Sequence, residues 1–472
     1  MGQEIATDQF STQDWQEYAL RLCQETALLR DMLTAGKLSA HAPVGGFELE
    51  GWLIDEQFRP ACCNAAFLQT MNHPLATVEL AQFNIELNTD PLPLQDKAIS
   101  RFETALTLLL EQAYQAAERI GTHLILTGIL PTIKQSDFNL ANMTPSNRYQ
   151  ALNNEVLKAR HYRPLNLDID GQDSLHIQHN NLMLEAVTTS FQVHMQVNAE
   201  QAHHFYNASI MASGPIMAVS GNSPFLFGRT LWEETRIPVF EQAVDAGRDF
   251  PARVSFGSSF ADKSIIEYFE ENLEAYPILL PMLQDTPANQ FAHLRLHNGV
   301  TWRWNRPLVG FDTDGTPHIR LEHRIMPAGP SVPDMMANAA LFYGLTQYLG
   351  QELSSGEPLP MAFAIARENF YNGARTGLKA QLRWNRQEWP VNRLMLEELL
   401  PLAAAGLEQL GIHEQDIRHY LSIIAARIET GQTGSIWQQQ YLRRVKGDFA
   451  QLLARYQQLQ RSHTPVHTWP CD

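Results

Sequence analysis

Apolar and polar residues alternate along several short stretches of the chain, and that period of two predicts strands. Residues 47–54 form the first, with Glu48 and Glu50 on one face and Phe47 and Leu49 on the other. Residues 83–89, Phe-Asn-Ile-Glu-Leu-Asn-Thr, alternate likewise and stop at Asp90-Pro91. A third strand is expected over 123–129, ended by Leu130-Pro131. Residues 190–198 alternate strictly: Gln192, His194, Gln196 and Asn198 share one side, and Phe191, Val193, Met195 and Val197 the other. Two more strands are expected over 301–305 and 318–325, joined by a turn at Asp312-Thr313-Asp314-Gly315.

Helical spacing accounts for much of the rest. It predicts amphipathic helices over 12–36, 96–120 and 200–219. Residues 134–180 are polar and rich in Asn, Gln and His. They read as a long loop with one helix near 146–160, serving either as a lid or as a solvated insertion. From Pro333 onward the pattern is helical, over 335–349, 393–410, 414–429 and 436–460. The expected fold is α+β, an antiparallel sheet with one polar face, flanked by helices. Residues 1–355 would form the catalytic domain, and 356–472 a helical region packed on it.

Composition narrows the function. The chain has 472 residues, 44% hydrophobic and 18% charged, within the globular range. A formal net charge of −16 argues against a nucleic-acid partner. The four cysteines, Cys23, Cys62, Cys63 and Cys471, have neither disulfide-framework nor metal-ligand spacing, which suits a reducing cytoplasm. The N-terminus lacks the basic-then-apolar run of a secretory signal. Met1-Gly2 opens like a myristoylation site, but Ala6 stands where Ser or Thr is wanted. No apolar stretch reaches spanning length. The expectation is a cytoplasmic protein without a membrane partner, monomeric or homodimeric.

The chemistry lies on the polar strand faces. Two carboxylates side by side, as in Glu48 and Glu50, repel unless a cation separates them. A hard divalent ion accepts such oxygen ligands. Glu86 lies between Asn84 and Asn88 on its strand face, with Glu79 seven residues earlier. His194 adds an imidazole on a polar face of the same kind. Glu322 and Arg324 share a face, so that one can hold a metal and the other a phosphate oxygen. Trp302-Arg303-Trp304-Asn305-Arg306 repeats the spaced arginines, with both Trp rings packing one face and Arg303 reaching the other. Taken singly, each has an ordinary alternative: a solvent-facing Glu, a structural His, a surface ion pair. Their agreement points to two or three hard cations bridging nucleotide phosphates. No P-loop or dinucleotide fingerprint is present.

The order of these motifs resembles the glutamate–cysteine ligase family 2, the carboxylate–amine ligases of the glutamine synthetase-like superfamily. It is carried by Gly46-Phe47-Glu48-Leu49-Glu50, Asn84 to Pro91, Val193 to Val197, Ser220 to Phe225, Trp302 to Arg306 and Leu321 to Arg324. The resemblance implies an antiparallel sheet funnel with ATP entering one end and the amino-acid substrates the other. It implies that Glu48, Glu50, Glu79, Glu86, His194 and Glu322 bind Mg²⁺, with Mn²⁺ as the alternative ion. Arg324 matches the family's phosphate-contacting arginine and, with Glu86, is assigned to catalysis. Gln196 and Arg303 are assigned with Arg324 to the nucleotide phosphates, and Arg236 and Arg306 to the substrate. The implied activity joins a carboxylate, with the γ-carboxyl of glutamate as the expected donor, to a small amine through an acyl phosphate. Cysteine is the family's reference acceptor. Gln196 departs from the second His of many members, Asn84 replaces an expected Gln, and residues 225–232 are bulkier than the family's usual run. Two readings compete on the same residues: a metal-dependent hydrolase, and a non-catalytic relative keeping the fold.

Overall fold

A computed structural model describes residues 4–471 apart from Ala6, Ala42, Ala246, Arg248 and Asp249. Met1, Gly2 and Ala6, on which the myristoylation comparison turned, lie outside the described residues.

The centre of the fold is a curled antiparallel sheet of eight strands. They are β1 (Val44–Ile54), β2 (Ala76–Val78), β3 (Asn84–Asn88), β4 (Leu92–Pro93), β5 (His123–Ile125), β6 (Phe191–Val197), β7 (Asn305–Phe311) and β8 (Pro317–His323). The order is β7-β8-β6-β1-β3-β2, with β4 and β5 pairing the two ends of β1. Every pairing is antiparallel. β1 is therefore central, and Glu48 and Glu50 do not lie on a sheet edge.

Alternation gives the sheet its two faces. Phe47 and Phe191, with ring centroids 4.9 Å apart, point to the back, where Phe47 also meets Phe102 at 4.6 Å. Phe102 belongs to the Ala98–Arg119 helix. Tyr343, on the Val332–Ser354 helix, donates its hydroxyl to the His194 carbonyl at 3.1 Å. The hydrophobic core continues from this back face into the C-terminal helices, as far as Trp469.

Several expectations shift. The strand expected over 123–129 ends at Ile125. The strand expected over 301–305 divides: Trp302–Arg303 pairs in parallel with Val254–Ser255, outside the main sheet, and β7 begins only at Asn305. The region read as a long loop holds the expected helix, Asn147–Ala159, and also an antiparallel hairpin of Leu165–Asp170 with Ser174–His179. The C-terminal third is not wholly helical, because Gln381–Trp384 and Gln387–Pro390 form a second hairpin. The helix expected over 436–460 is two, Gly434–Arg444 and Phe449–Gln460, broken where Lys446 and Gly447 take positive φ of 54° and 86°. Among the described residues no helix is long and apolar enough to cross a membrane.

Candidate active site

Register brings the polar faces together. His194 on β6 pairs with Gly46 on one side and Glu322 on the other. Glu48 lies two residues along β1 from Gly46, so its carboxylate falls diagonally beside the imidazole. Glu50 pairs directly with Glu86, which pairs in turn with Thr77. Glu79 directly follows the last residue of β2.

The result is two triads. Glu48, His194 and Glu322 offer ligand atoms within 4.8 Å of one another, and so do Glu50, Glu79 and Glu86. All six residues expected to bind metal are in these two groups.

The triads differ in electrostatics. In the first, His194 Nε2 lies 3.2 Å from Glu48 Oε1 and 4.0 Å from Glu322 Oε1. Arg306 grips Glu322 through Nε at 2.7 Å and Nη2 at 3.0 Å, and Arg324 Nη1 reaches the same carboxylate at 3.0 Å. Burial opposes ionisation of Glu322, but Arg306 and Arg324 pull its pKa down to about 2. Glu48 is half-buried, and although that desolvation opposes its charge, the adjacent imidazole and Arg324 hold it well below the usual carboxylate range.

In the second triad Glu50 and Glu86 accept from neutral donors. The Ser190 amide and Gln192 Nε2 donate to Glu50 at 2.7 and 2.9 Å. Asn88 Nδ2 and Thr77 Oγ1 donate to Glu86 at 2.8 and 3.2 Å. Burial and the neighbouring Glu48 push Glu86 up to about 7. Burial, then Glu86 and Glu50, push Glu79 well above its ordinary value. Glu79 Oε1 and His194 Nε2 are buried with no hydrogen-bond partner. Like charges 4 Å apart repel by roughly 4 kcal/mol at an effective dielectric near 20. Three carboxylates facing one another, with an orphaned oxygen among them, fit a divalent cation.

The remaining site residues divide. Arg324 also donates to Gln192 Oε1, which ties it to the ligand-bearing strand. Arg236 holds Glu234 at 3.1 Å and donates to the Ile325 and Arg324 carbonyls at 2.9 and 3.2 Å. It therefore braces the turn that carries Arg324. Gln196 donates to Asp312 Oδ1 at 3.2 Å, near the hairpin turn. Arg303 is not brought to the triads. It pairs with Glu271 at 2.7 Å and stacks over Tyr268 at 4.7 Å. The cause is the change of sheet between Arg303 and Asn305, which turns its side chain away from the polar face.

Two residues absent from the sequence reading join the site. Glu185 stands in the 3₁₀ segment Leu182–Val187, and burial and the charge of Glu50 push its carboxyl up to about 8. Arg320 donates from Nε to His194 Nδ1 at 3.3 Å. Arg320 was within reach of the alternation argument, since it precedes Glu322 by two. Glu185 lies outside any periodic stretch.

The profile of the Glutamate-cysteine ligase family 2 (GCS2) matches residues 45–460. No curated protein sequence matches the chain. Among solved structures, a glutamate–cysteine ligase from Francisella tularensis in complex with AMP superposes with a TM-score of 0.55 at 13% identity, over 90% of each chain. A bifunctional glutathione synthetase from Pasteurella multocida superposes with a TM-score of 0.51 at 12% identity, over 92% of this chain and 55% of that one. At these identities the likeness is one of fold.

Proposed function

The chain belongs to the glutamate–cysteine ligase family 2, and from that premise we propose that it is an ATP-dependent ligase joining a carboxylate to a small amine. One observation carries the reading: two groups of three ligand residues lie side by side, the second made of three carboxylates, with Arg324 bound to Glu322 of the first. Gly46, opposite His194, adds room, because a Cβ there would meet nothing within 4 Å.

Glu48, His194 and Glu322 would hold one Mg²⁺ or Mn²⁺, and Glu50, Glu79 and Glu86 another. Such ions neutralise charge on nucleotide phosphates. The chain's own groups do the positioning. Arg324, fixed by Glu322 and Gln192, presents a guanidinium to the transferring phosphoryl group. Arg306 keeps Glu322 ionised and aimed. Arg236 holds the Arg324 turn in place and so acts on the substrate through it.

In the proposed chemistry the donor carboxylate takes the γ-phosphoryl group of ATP, giving an acyl phosphate and ADP. The amine then attacks the acyl carbon and phosphate leaves. The γ-carboxyl of glutamate is the proposed donor. The test is incubation of the purified protein with MgATP, glutamate and hydroxylamine. γ-Glutamyl hydroxamate formed together with ADP is the expected result. No nucleotide turnover across a broad panel of acids and amines would overturn the reading.

A further inference from the structure

One carboxylate near the triads belongs to neither. Glu185 stands in the 3₁₀ segment Leu182–Val187, outside both groups of ligand residues. It is half-buried, and its carboxylate accepts no hydrogen bond from any described residue. The segment that carries it is pinned. Asn181 Oδ1 accepts from the Met183 amide at 2.9 Å, and Asn153 Oδ1 from the Leu182 amide at 3.0 Å. The Glu185 carbonyl accepts from the Thr188 amide and hydroxyl at 3.2 and 3.1 Å.

The next residues lead to the site. Trp52 Nε1 donates to Thr189 Oγ1 at 3.0 Å, and the Ser190 amide holds Glu50 at 2.7 Å. On the other side the Arg236–Ala243 helix packs against the 182–187 segment, and its Arg236 braces the turn that carries Arg324. Glu185 is thereby placed beside the Glu50 end of β1, on the side of Arg324. The two charges act on it in opposite senses, Glu50 against its ionisation and Arg324 in favour, and neither bonds to it. Arg324 leaves a matching gap, because its Nε is buried with no hydrogen-bond partner.

A half-buried carboxylate without a partner is costly, and a cation with N–H donors removes that cost. The metal ions of the proposed ligase belong to the triads. The reaction brings one other cation. An aliphatic amine is an ammonium ion at neutral pH, and it must reach an acyl carbon next to the phosphoryl group that faces Arg324.

We propose that Glu185 anchors the ammonium group of the acceptor, holding it beside the acyl phosphate and across from Arg324. This rests on the ligase reading above. Attack needs the free amine, so the ammonium passes one proton to the carboxylate that holds it. The C–N bond then forms as the C–O bond to phosphate breaks, and phosphate leaves with that electron pair. An uncharged nucleophile gains little from such an anchor, so Glu185 sets a preference for cationic amines.

The test is ligation by the full chain with MgATP and glutamate. Hydroxylamine, uncharged at neutral pH, is compared with ethylamine and cysteine, whose amino groups are cationic there. In Glu185→Gln, kcat/KM for the cationic acceptors should fall about ten-fold or more beyond any fall for hydroxylamine, chiefly through KM. Glu185→Asp keeps the charge one methylene further back and should fall between parent and Glu185→Gln. Equal losses for all three acceptors would make Glu185 structural and overturn the assignment. A raised KM for glutamate instead would move the anchor to the donor and also overturn it. So would a matching loss of Mn²⁺ affinity, read by electron paramagnetic resonance, which would make Glu185 a metal ligand. A parent chain that uses hydroxylamine, while neither cationic amine reacts or competes with it, would overturn this inference and leave the ligase reading intact. If the parent chain turns over no nucleotide with any acceptor, the ligase reading fails, and this inference with it.

Discussion

Glu86 sits on β3 between Glu50 and Thr77, with Thr77 and Asn88 as its hydrogen-bond donors. Its raised pKa reports a carboxylate that folding alone does not favour. Glu86→Gln keeps the shape, keeps an acceptor oxygen for Asn88, and removes one charge from the triad. The expected outcome is loss of ligase turnover by about 100-fold or more, since removing a single preorganised group of this kind costs roughly that. Thermal stability should hold or rise, by about 1 kcal/mol. Hydroxamate formation and a melting curve check both, and near-parent turnover in a folded variant would remove Glu86 from the site. Glu48, Glu50, Glu86, His194 and Glu322 could be read from the sequence because a strand puts every second residue on one face. Glu79 lies past the end of its strand, so alternation did not place it; it was picked out by its spacing from Glu86, and the family resemblance gave it its ligand role. Arg303 misled because alternation assigns a face but not a sheet.

The elements came through unevenly, for reasons visible in their turns. The hairpin at 165–179 has clear alternation, with Leu165, Leu167 and Ile169 buried between exposed Asn and Asp residues. Polar composition masked it. The hairpin at 381–390 turns on Asn385 and Arg386, both at positive φ, of 48° and 64°. Without a glycine, that turn gives no sequence signal. Close helix packing is equally silent until two glycines meet in space. The helices Val332–Ser354 and Leu400–Gln409 approach so nearly that a Cβ on Gly406 would lie 1.9 Å from the Gly344 carbonyl oxygen, and one on Gly344 2.2 Å from that of Ala403. The obstacle is backbone on both sides and cannot rotate away. Gly406→Ala should therefore cost about 2–3 kcal/mol, overpacking outweighing the helix propensity it adds. A urea titration reads the change, and an unaltered midpoint would mean that the two helices separate freely.

Site and fold are coupled through the charge that the sheet gathers. Glu86 and Glu185 have folded pKa values of about 7 and about 8, against an ordinary 4.5. Between those limits the folded, metal-free chain keeps protons that the unfolded chain has released. The stability they contribute is complete below about pH 4.5 and is lost as pH rises through 7 to 8. Glu322, brought down to about 2, acts in the opposite sense, contributing above 4.5 and failing only as pH falls toward 2. Metal-free stability should accordingly decline between pH 5 and 8. A divalent cation favours the ionised carboxylates, so saturating Mg²⁺ should flatten that decline. At a hundredfold excess over its dissociation constant it should add about 2.7 kcal/mol. Urea midpoints across this pH range, with and without Mg²⁺, give the measurement, and in Glu86→Gln both the slope and the Mg²⁺ gain should shrink. Parallel curves with and without the ion would mean that the acidic face tolerates its own repulsion, and the argument that it is built around cations would fail at its root.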